Sequence, residues 1–387
     1  MVLVVSMIIH RKELSSFKLR NFRVAVVFLV VTILVVLFVA VDKEEGYSQA
    51  YILSTLIFAS FCIVKIINNS DRYRLFLLAI VAMAANLSLN AYLYGVRVAA
   101  RLEGIGSADS TGSNQFSLLL AGIIPLAIPF IWCGKWYEKI FCILALPFLV
   151  NAFILCNSRG AFVAVALAYI VSVAIVATKR TRKKMAVVAI ALAPLFLYLA
   201  DAAFFERLST LLYTGEALND AGAAQSLSSG RTAIWGYGVD MLKDYPFGSG
   251  PNGFKTLARF YMPEELLTIH PGAVYGVRAA HNTYLQVLVE QGGIGLAVWL
   301  ALCGYSIYLL VRCSRLVQQI GSLYWELTVV GLSISYFSIL FGGLFTSRLY
   351  YQFYWWQIAL IAVLYGLLSC LADKSTCGVT VGGKDAV

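Results

Sequence analysis

Three side chains in this sequence have types and positions that could support chemistry. The first, Arg231, follows Ser228-Ser229-Gly230 and opens an amphipathic stretch, so it is expected at the N-terminus of a helix. The free N–H groups of a helix start favour an anion, and a guanidinium can bind two oxygens of a phosphate at once. Arg231 is therefore a candidate phosphate ligand. The alternative is an interfacial arginine that only reaches out to water.

The second candidate, Arg159, lies in the tight turn Asn157-Ser158-Arg159-Gly160 between two apolar runs. A charge at or within the membrane edge is costly and often functional. Arg159 is thus either a ligand for a charged substrate or a simple anchor at the membrane surface.

The third candidate, His281, lies in Ala279-Ala280-His281-Asn282, directly before an apolar run. Histidine is the side chain that titrates near neutrality without perturbation, so it is the natural general base. A structural histidine that caps a helix or bonds a carbonyl is the alternative. His270, in a proline-flanked stretch, is a weaker candidate, and Glu290 is expected on the opposite helix face from His281.

The sequence gives little support for a metal site. Asp42-Lys43-Glu44-Glu45 could hold a divalent cation, but a solvated turn is the favoured interpretation. The eight cysteines form no CxxC pair and avoid the longest polar segment, which disfavours a zinc site or a disulfide framework.

Hydropathy indicates the elements that must position these side chains. The chain is 60% hydrophobic with a mean hydropathy of +0.80, and apolar runs near the ~20 residues that cross a bilayer recur along it. We therefore predict an all-α polytopic membrane protein of about ten spans. They cover residues 23–41, 50–67, 75–94, 115–133, 140–156, 161–178, 185–203, 283–311, 323–345 and 353–372.

The net charge of +10 is explained by short basic loops and is no sign of nucleic-acid binding. The segments His10–Arg23 and Lys179–Lys184 each carry five Lys or Arg, and ten spans place both on one side. By the positive-inside rule that side is cytoplasmic, together with both termini. Arg159, Arg231 and His281 are then expected on the outer face.

This topology divides the chain into four parts. Residues 1–203 form a bundle of about seven spans, 204–282 a large outer loop, 283–372 about three spans, and 373–387 a disordered cytoplasmic tail. Apolar spacing in the loop predicts helices at Glu206–Leu218 and Arg231–Asp244, followed by a glycine-rich turn near Gly248. Aromatic residues cluster before the last span, which predicts a belt at the membrane–water interface. They are Tyr350, Tyr351, Tyr354, Trp355 and Trp356.

At the three candidates the sequence resembles the O-antigen ligase family, which shares a superfamily with O-antigen polymerases. The family pattern is His-(Asn/Ser/Gln), nine residues, then Gly, and here His281-Asn282 precedes Gly292 at that spacing. Arg159 in NSRGAF and Arg231 in SGRTAIWGYGVDMLKDYPFG match the family's two arginines. The similarity runs from about residue 50 to the C-terminus. The family usually has about twelve spans, so an N-terminal pair is expected to be missing.

The resemblance implies a GT-C-like membrane glycosyltransferase that uses no metal and no cofactor. Such an enzyme moves a glycan from undecaprenyl diphosphate to a lipid A–core sugar on the periplasmic face of the bacterial inner membrane. His281 would be the catalytic base, and Arg159 and Arg231 would bind the diphosphate. An O-antigen or exopolysaccharide polymerase, a protein-directed oligosaccharyltransferase and a polysaccharide transporter remain alternatives. The apolar spans lack the midplane charges typical of transporters.

Overall fold

A computed structural model describes residues 20–98, 101–103, 112–199, 231–268 and 275–376. Within them the chain forms α-helices, two short 3₁₀ turns and one antiparallel hairpin. In chain order the elements are α1 (Arg20–Phe38), α2 (Lys43–Ile66), α3 (Ser70–Tyr94), β1 (Val96–Val98), β2 (Arg101–Glu103), α4 (Ser113–Ile123), a 3₁₀ turn (Ile124–Ala127), α5 (Ile128–Cys133), α6 (Trp136–Leu155), α7 (Arg159–Ile175), α8 (Lys179–Leu199), α9 (Arg231–Asp244), α10 (Gly253–Tyr261), a 3₁₀ turn (Glu264–Leu266), α11 (Thr283–Ile320), α12 (Leu323–Gly342) and α13 (Gln352–Thr376).

The predicted class is confirmed: the chain is an all-α polytopic membrane protein. Each of the ten predicted spans coincides with a helix or with the α4–α5 pair. Seven of these are long and apolar enough to cross a membrane, and α1 and α7 contain shorter apolar helices. The remaining helix, α8, begins with the basic run Lys179–Lys184, which leaves it a shorter apolar stretch.

Helix α12 lies at the centre of the bundle and packs against α4, α5, α7, α11 and α13. Almost its whole surface is buried, and Gly331 allows the break between α4 and α5 to approach it: a Cβ there would lie 2.5 Å from the carbonyl oxygen of Pro125. Pro125 and Pro129 account for that break, because proline cannot donate the helical hydrogen bond.

The two ends of the bundle differ in chemistry. Helix α7 has 17 residues, so about 25 Å separates Arg159 at its start from the basic run at the start of α8. We call the end at which α7 begins the site end. Helices α9 and α10 pack against α11 there.

A kink in α11 fastens the loop to the bundle. Gly292 has φ 67° and ψ −177°, a conformation outside the helix, so the carbonyls one turn earlier are free to accept other bonds. The carbonyl of Val289 accepts from the backbone of Ser249 (2.9 Å), and that of Glu290 accepts from Gly250 (3.0 Å). The glycine-rich turn predicted after α9 is therefore bonded directly to α11.

Replacing Gly292 with alanine should destabilise the protein. A Cβ at this position would lie 2.6 Å from the carbonyl carbon of Phe247, and the backbone strain alone costs about 1–3 kcal/mol. Gly293→Ala is the matched control, since a Cβ there meets no atom of the described residues within 4 Å. We expect thermal unfolding of the purified protein to show a clear loss for Gly292→Ala alone. Equal melting temperatures for the two variants would contradict this role of the kink.

Several features differ from the expectation. The loop at 95–114 contains the hairpin β1–β2, and α13 continues to Thr376, past the predicted start of the tail. Two members of the aromatic cluster do not belong to an interfacial belt, because Tyr354 and Trp355 are 3% and 1% exposed and Trp355 donates to the carbonyl of Leu349 (2.8 Å). The predicted helix Glu206–Leu218 lies outside the described residues.

Candidate functional site

The backbone of His281 is held in place from both sides. Asn282 caps α11 by accepting from the backbone N–H groups of Tyr284 (2.9 Å) and Leu285 (3.1 Å). On the other side, the carbonyl of Ala280 accepts from the indole N–H of Trp235 (3.1 Å). His281 itself has φ +49°, an uncommon conformation for a residue other than glycine. Such outliers cluster at functional sites.

Helix α9 brings Arg231 to the same place. The buried residues of this helix are Ile234, Gly238 and Met241, which lie at helical spacing on one face. Gly238 lets α9 lie close to the first turn of α11, where a Cβ would approach Leu285 to 2.8 Å. With Trp235 bonded to the segment before α11, Arg231 at the start of α9 lies close enough to His281 for its charge to lower the pKa of the imidazole.

The turn before α7 supplies Arg159. Asn157 adopts a left-handed conformation (φ 50°), and Ser158 donates to the side-chain oxygen of Asn114 (2.9 Å). The same oxygen accepts from Arg101 in the hairpin (2.8 Å). Ser158 and Arg231 line one small cleft, so the start of α7 and the start of α9 meet at the site end.

The site is strongly electropositive. Burial lowers the pKa of the Arg231 guanidinium, and neighbouring positive charges lower it further; these belong to Arg159, Arg101 and Arg278. Burial also lowers the pKa of His281 to about 4, again helped by positive charges, those of Arg231, Arg278 and Lys255. Gathering like charges in a half-buried site is unfavourable unless an anion binds there. The arrangement suits a ligand with several negative charges.

The sequence predicted that Arg159, Arg231 and His281 act together, and the structure brings these three into one cluster. The sequence analysis did not identify Arg101, Arg278 or Lys255 as further members of this cluster. Arg278 could have been found, because it stands three residues before His281. The other two come from the hairpin and from α10, and no local pattern marks them.

His281 also lines a cavity of about 330 Å³ at the site end. Glu290 lines the same cavity, so the expectation that it faces away from His281 was wrong. Helical spacing does not apply between the two residues, because His281 precedes the helix in a left-handed conformation. The Glu290 carboxylate accepts from Gln286 (3.2 Å) and from the hydroxyl of Tyr350 (3.0 Å).

The acidic residues near Asp42 have structural roles in the described chain. Asp42 caps α2 by accepting from the backbone of Glu45 (3.1 Å). Glu45 accepts from Gln49 (2.9 Å) and from Asn252 (2.7 Å), which ties α2 to the turn before α10. Among the described residues no three His, Cys, Asp or Glu side chains form a group that could hold a metal ion. His270 lies outside those residues.

Comparisons with known proteins bear on this site. Residues 140–300, which contain Arg159, Arg231 and His281, match the family model described as O-antigen ligase. A search of curated proteins finds no match. A solved chain from the study "Structural coordination of polymerization and crosslinking by a peptidoglycan synthase complex" is 15% identical, with 92% of this chain and 97% of that chain covered and a TM-score of 0.45. Over residues 140–300, which hold all three candidate site residues, the protein is therefore similar to the O-antigen ligase family.

Proposed function

We propose that this protein is an O-antigen ligase of GT-C-like architecture. It moves a glycan from undecaprenyl diphosphate to a sugar hydroxyl of lipid A–core, at the periplasmic face of the bacterial inner membrane. The observation that supports this most directly is that His281 and the half-buried guanidinium of Arg231 share one electropositive site.

The proposed reaction needs no covalent intermediate. The acceptor hydroxyl attacks the anomeric carbon of the donor sugar, and its proton passes to the neutral imidazole of His281. The bond from the anomeric carbon to the diphosphate oxygen breaks, and the diphosphate leaves with the electron pair. Arg159 and Arg231 stabilise the developing negative charge, which is the role that a metal ion has in other transferases. Direct attack inverts the anomeric configuration.

The charges around His281 couple donor binding to base strength. With its pKa near 4 in the free protein, His281 is neutral at pH 7 but only weakly basic. A bound diphosphate would offset the nearby positive charges and raise the pKa of the imidazole. His281 would therefore become an effective base only when the donor is in place.

The second candidate function is an O-antigen or exopolysaccharide polymerase, which uses another lipid-linked glycan as its acceptor. The same family match covers this reaction, and the same residues could perform it. Purified protein should be incubated with a lipid-linked glycan donor and either lipid A–core or a second lipid-linked glycan. Extension of lipid A–core supports the ligase, extension of the second glycan supports the polymerase, and extension of neither contradicts both.

Turnover should not depend on a divalent metal, because arginine side chains can neutralise the leaving group. We expect EDTA to leave the transfer rate unchanged. Loss of activity that Mg²⁺ or Mn²⁺ restores would contradict this and would direct attention to Asp42, Glu44 and Glu45.

The site end should face the periplasm. The basic run at the start of α8 lies at the opposite end of α7 from Arg159, and basic loops are retained in the cytoplasm. A reporter fused after Lys184 should therefore report the cytoplasm, and one inserted within 231–268 should report the periplasm. The reverse result would place the site on the wrong side for a periplasmic donor.

A further inference from the structure

We infer that the cavity beside His281 is the binding site of the acceptor sugar and that Glu290 is the residue that positions this sugar. The inference rests on the proposed function and assigns a second substrate subsite, next to the one that holds the diphosphate.

The lining of the cavity is suited to a sugar ring. Side-chain amides, a carboxylate and tyrosines face it, with a few apolar groups between them; they include Gln49, Gln115, Asn252, Gln286, Glu290 and Tyr350. A ligand site typically combines apolar walls with a small number of polar groups that fix orientation. The volume of about 330 Å³ lies at the small end of ligand cavities, roughly 300–1,000 Å³.

Glu290 is an unusual residue to find in this position. Its side chain is buried, with 1% of the residue exposed, in the first turns of an apolar helix. A buried carboxylate is costly unless its oxygens are hydrogen-bonded. Ionised, it can accept about four hydrogen bonds; Gln286 and Tyr350 each donate one, and the backbone N–H of Asn252 donates a third. Glu290 therefore retains capacity for one further donor.

Gln286 adds a second acceptor to the same wall. Its amide nitrogen donates to Glu290, but its buried amide oxygen accepts no hydrogen bond from the described residues. A buried acceptor without a partner is unfavourable, and a donor from a ligand would satisfy it. The acceptors of Glu290 and Gln286 would therefore be satisfied by a ligand with several hydroxyl groups.

The charged residues that line the cavity indicate which part of the substrates binds in it. A carboxylate repels a diphosphate, so the diphosphate belongs with the arginines and not beside Glu290. Lys255 borders the same cavity, and its positive charge disfavours a cationic ligand. A neutral polyhydroxyl group satisfies both conditions.

The distance between Glu290 and His281 also suits the proposed deprotonation of the acceptor. Seven residues of helix, about 10 Å of rise, separate Thr283 at the start of α11 from Glu290. A sugar anchored at Glu290 can therefore direct another hydroxyl towards His281, where its proton would be removed.

The test is acceptor binding to the full-length protein in nanodiscs without donor. Lipid A–core and a lipid-linked glycan are titrated separately, and the affinity for the lipid-linked donor is measured in parallel. Glu290→Gln should weaken binding of the preferred acceptor about tenfold or more, because a charged hydrogen bond is lost. Its donor affinity should stay within about twofold of the wild-type value.

Glu326→Gln is the matched control. Glu326 is also buried in a spanning helix, but it bonds Thr178 (2.6 Å) on the segment before α8, at the opposite end of the bundle. The Glu326→Gln variant should bind the acceptor with wild-type affinity. Should Glu290→Gln fail to fold, Gln49→Ala on the facing helix α2 should weaken acceptor binding several-fold, since Gln49 is only half-buried.

The outcomes separate this inference from the proposed function. Wild-type acceptor affinity in a folded Glu290→Gln protein, or in Gln49→Ala if Glu290→Gln does not fold, overturns the inference even if transfer proceeds normally. An equal loss of donor affinity in the variant also overturns it, as does a wild-type protein that binds neither acceptor. Weakened acceptor binding by the variant supports the inference even if the wild-type protein transfers nothing, in which case only the proposed function fails.

Discussion

His281→Ala should lower the rate of glycan transfer by about 10²–10⁴-fold, the usual contribution of a positioned general base. Donor binding should persist, because Arg159 and Arg231 hold the diphosphate in the proposed complex. The measurement is a single-turnover transfer assay together with a direct donor-binding assay on the same folded variant. His270→Ala should have a mild effect on both.

The pH dependence offers a separate test of the base. A base must be unprotonated to act, so activity should rise with pH through the pKa of His281. In the free protein that pKa is about 4, and donor binding should raise it. The acid limb of kcat should therefore lie at a higher pH than the acid limb of kcat/KM for the donor, and the His281→Ala variant should lose both limbs. Near-normal turnover by that variant, or complete loss of donor binding, would refute the assignment.

Arg231→Ala should reduce transfer at least about tenfold, since a charged hydrogen bond contributes roughly 1.5–3 kcal/mol. Arg231→Lys should have a smaller effect, because the charge remains while the two-pronged contact is lost. Arg159→Ala and Arg159→Lys should follow the same order. Each effect should appear in donor affinity as well as in rate.

Lys243→Ala is the matched control for Arg231→Ala. Lys243 is a cation on the last turn of the same helix, exposed and paired with Asp240 (2.8 Å). Its loss should change neither rate nor donor affinity. Removing Arg231 should in addition raise the pKa of His281, because Arg231 is the first of the charges that lower it. Wild-type rates in a folded Arg231→Ala protein would make Arg231 a mere anchor.

Features that depend on residues close together in the sequence could be predicted. The hydrophobicity of consecutive residues marks a membrane span, so all ten predicted spans coincide with helices. The helix over Arg231–Asp244 was found from the spacing of its apolar residues. Arg101 and Lys255 could not be assigned, since their positions depend on how a hairpin and α10 pack at the site end. Glu290 was misjudged because ideal helical geometry was extended across a residue that is not helical.

Because the outer loop is hydrogen-bonded to α11 at the Gly292 kink, the number of residues between Asn282 and Gly292 fixes the distance between the helix cap and the loop attachment. Nine residues, two and a half turns or about 13 Å, separate Asn282, the cap of α11, from Gly292. The carbonyls that hold the loop belong to Val289 and Glu290, directly before that kink. Substitutions within this interval keep the registration of its two ends, whereas an inserted or deleted residue rotates one end by about 100° against the other. Divergence should therefore preserve the spacing between His281 and Gly292 more strictly than the identities of those residues between them that neither cap α11 nor line the cavity. A chimera that exchanges the loop should carry residues 245–253 together with 281–295.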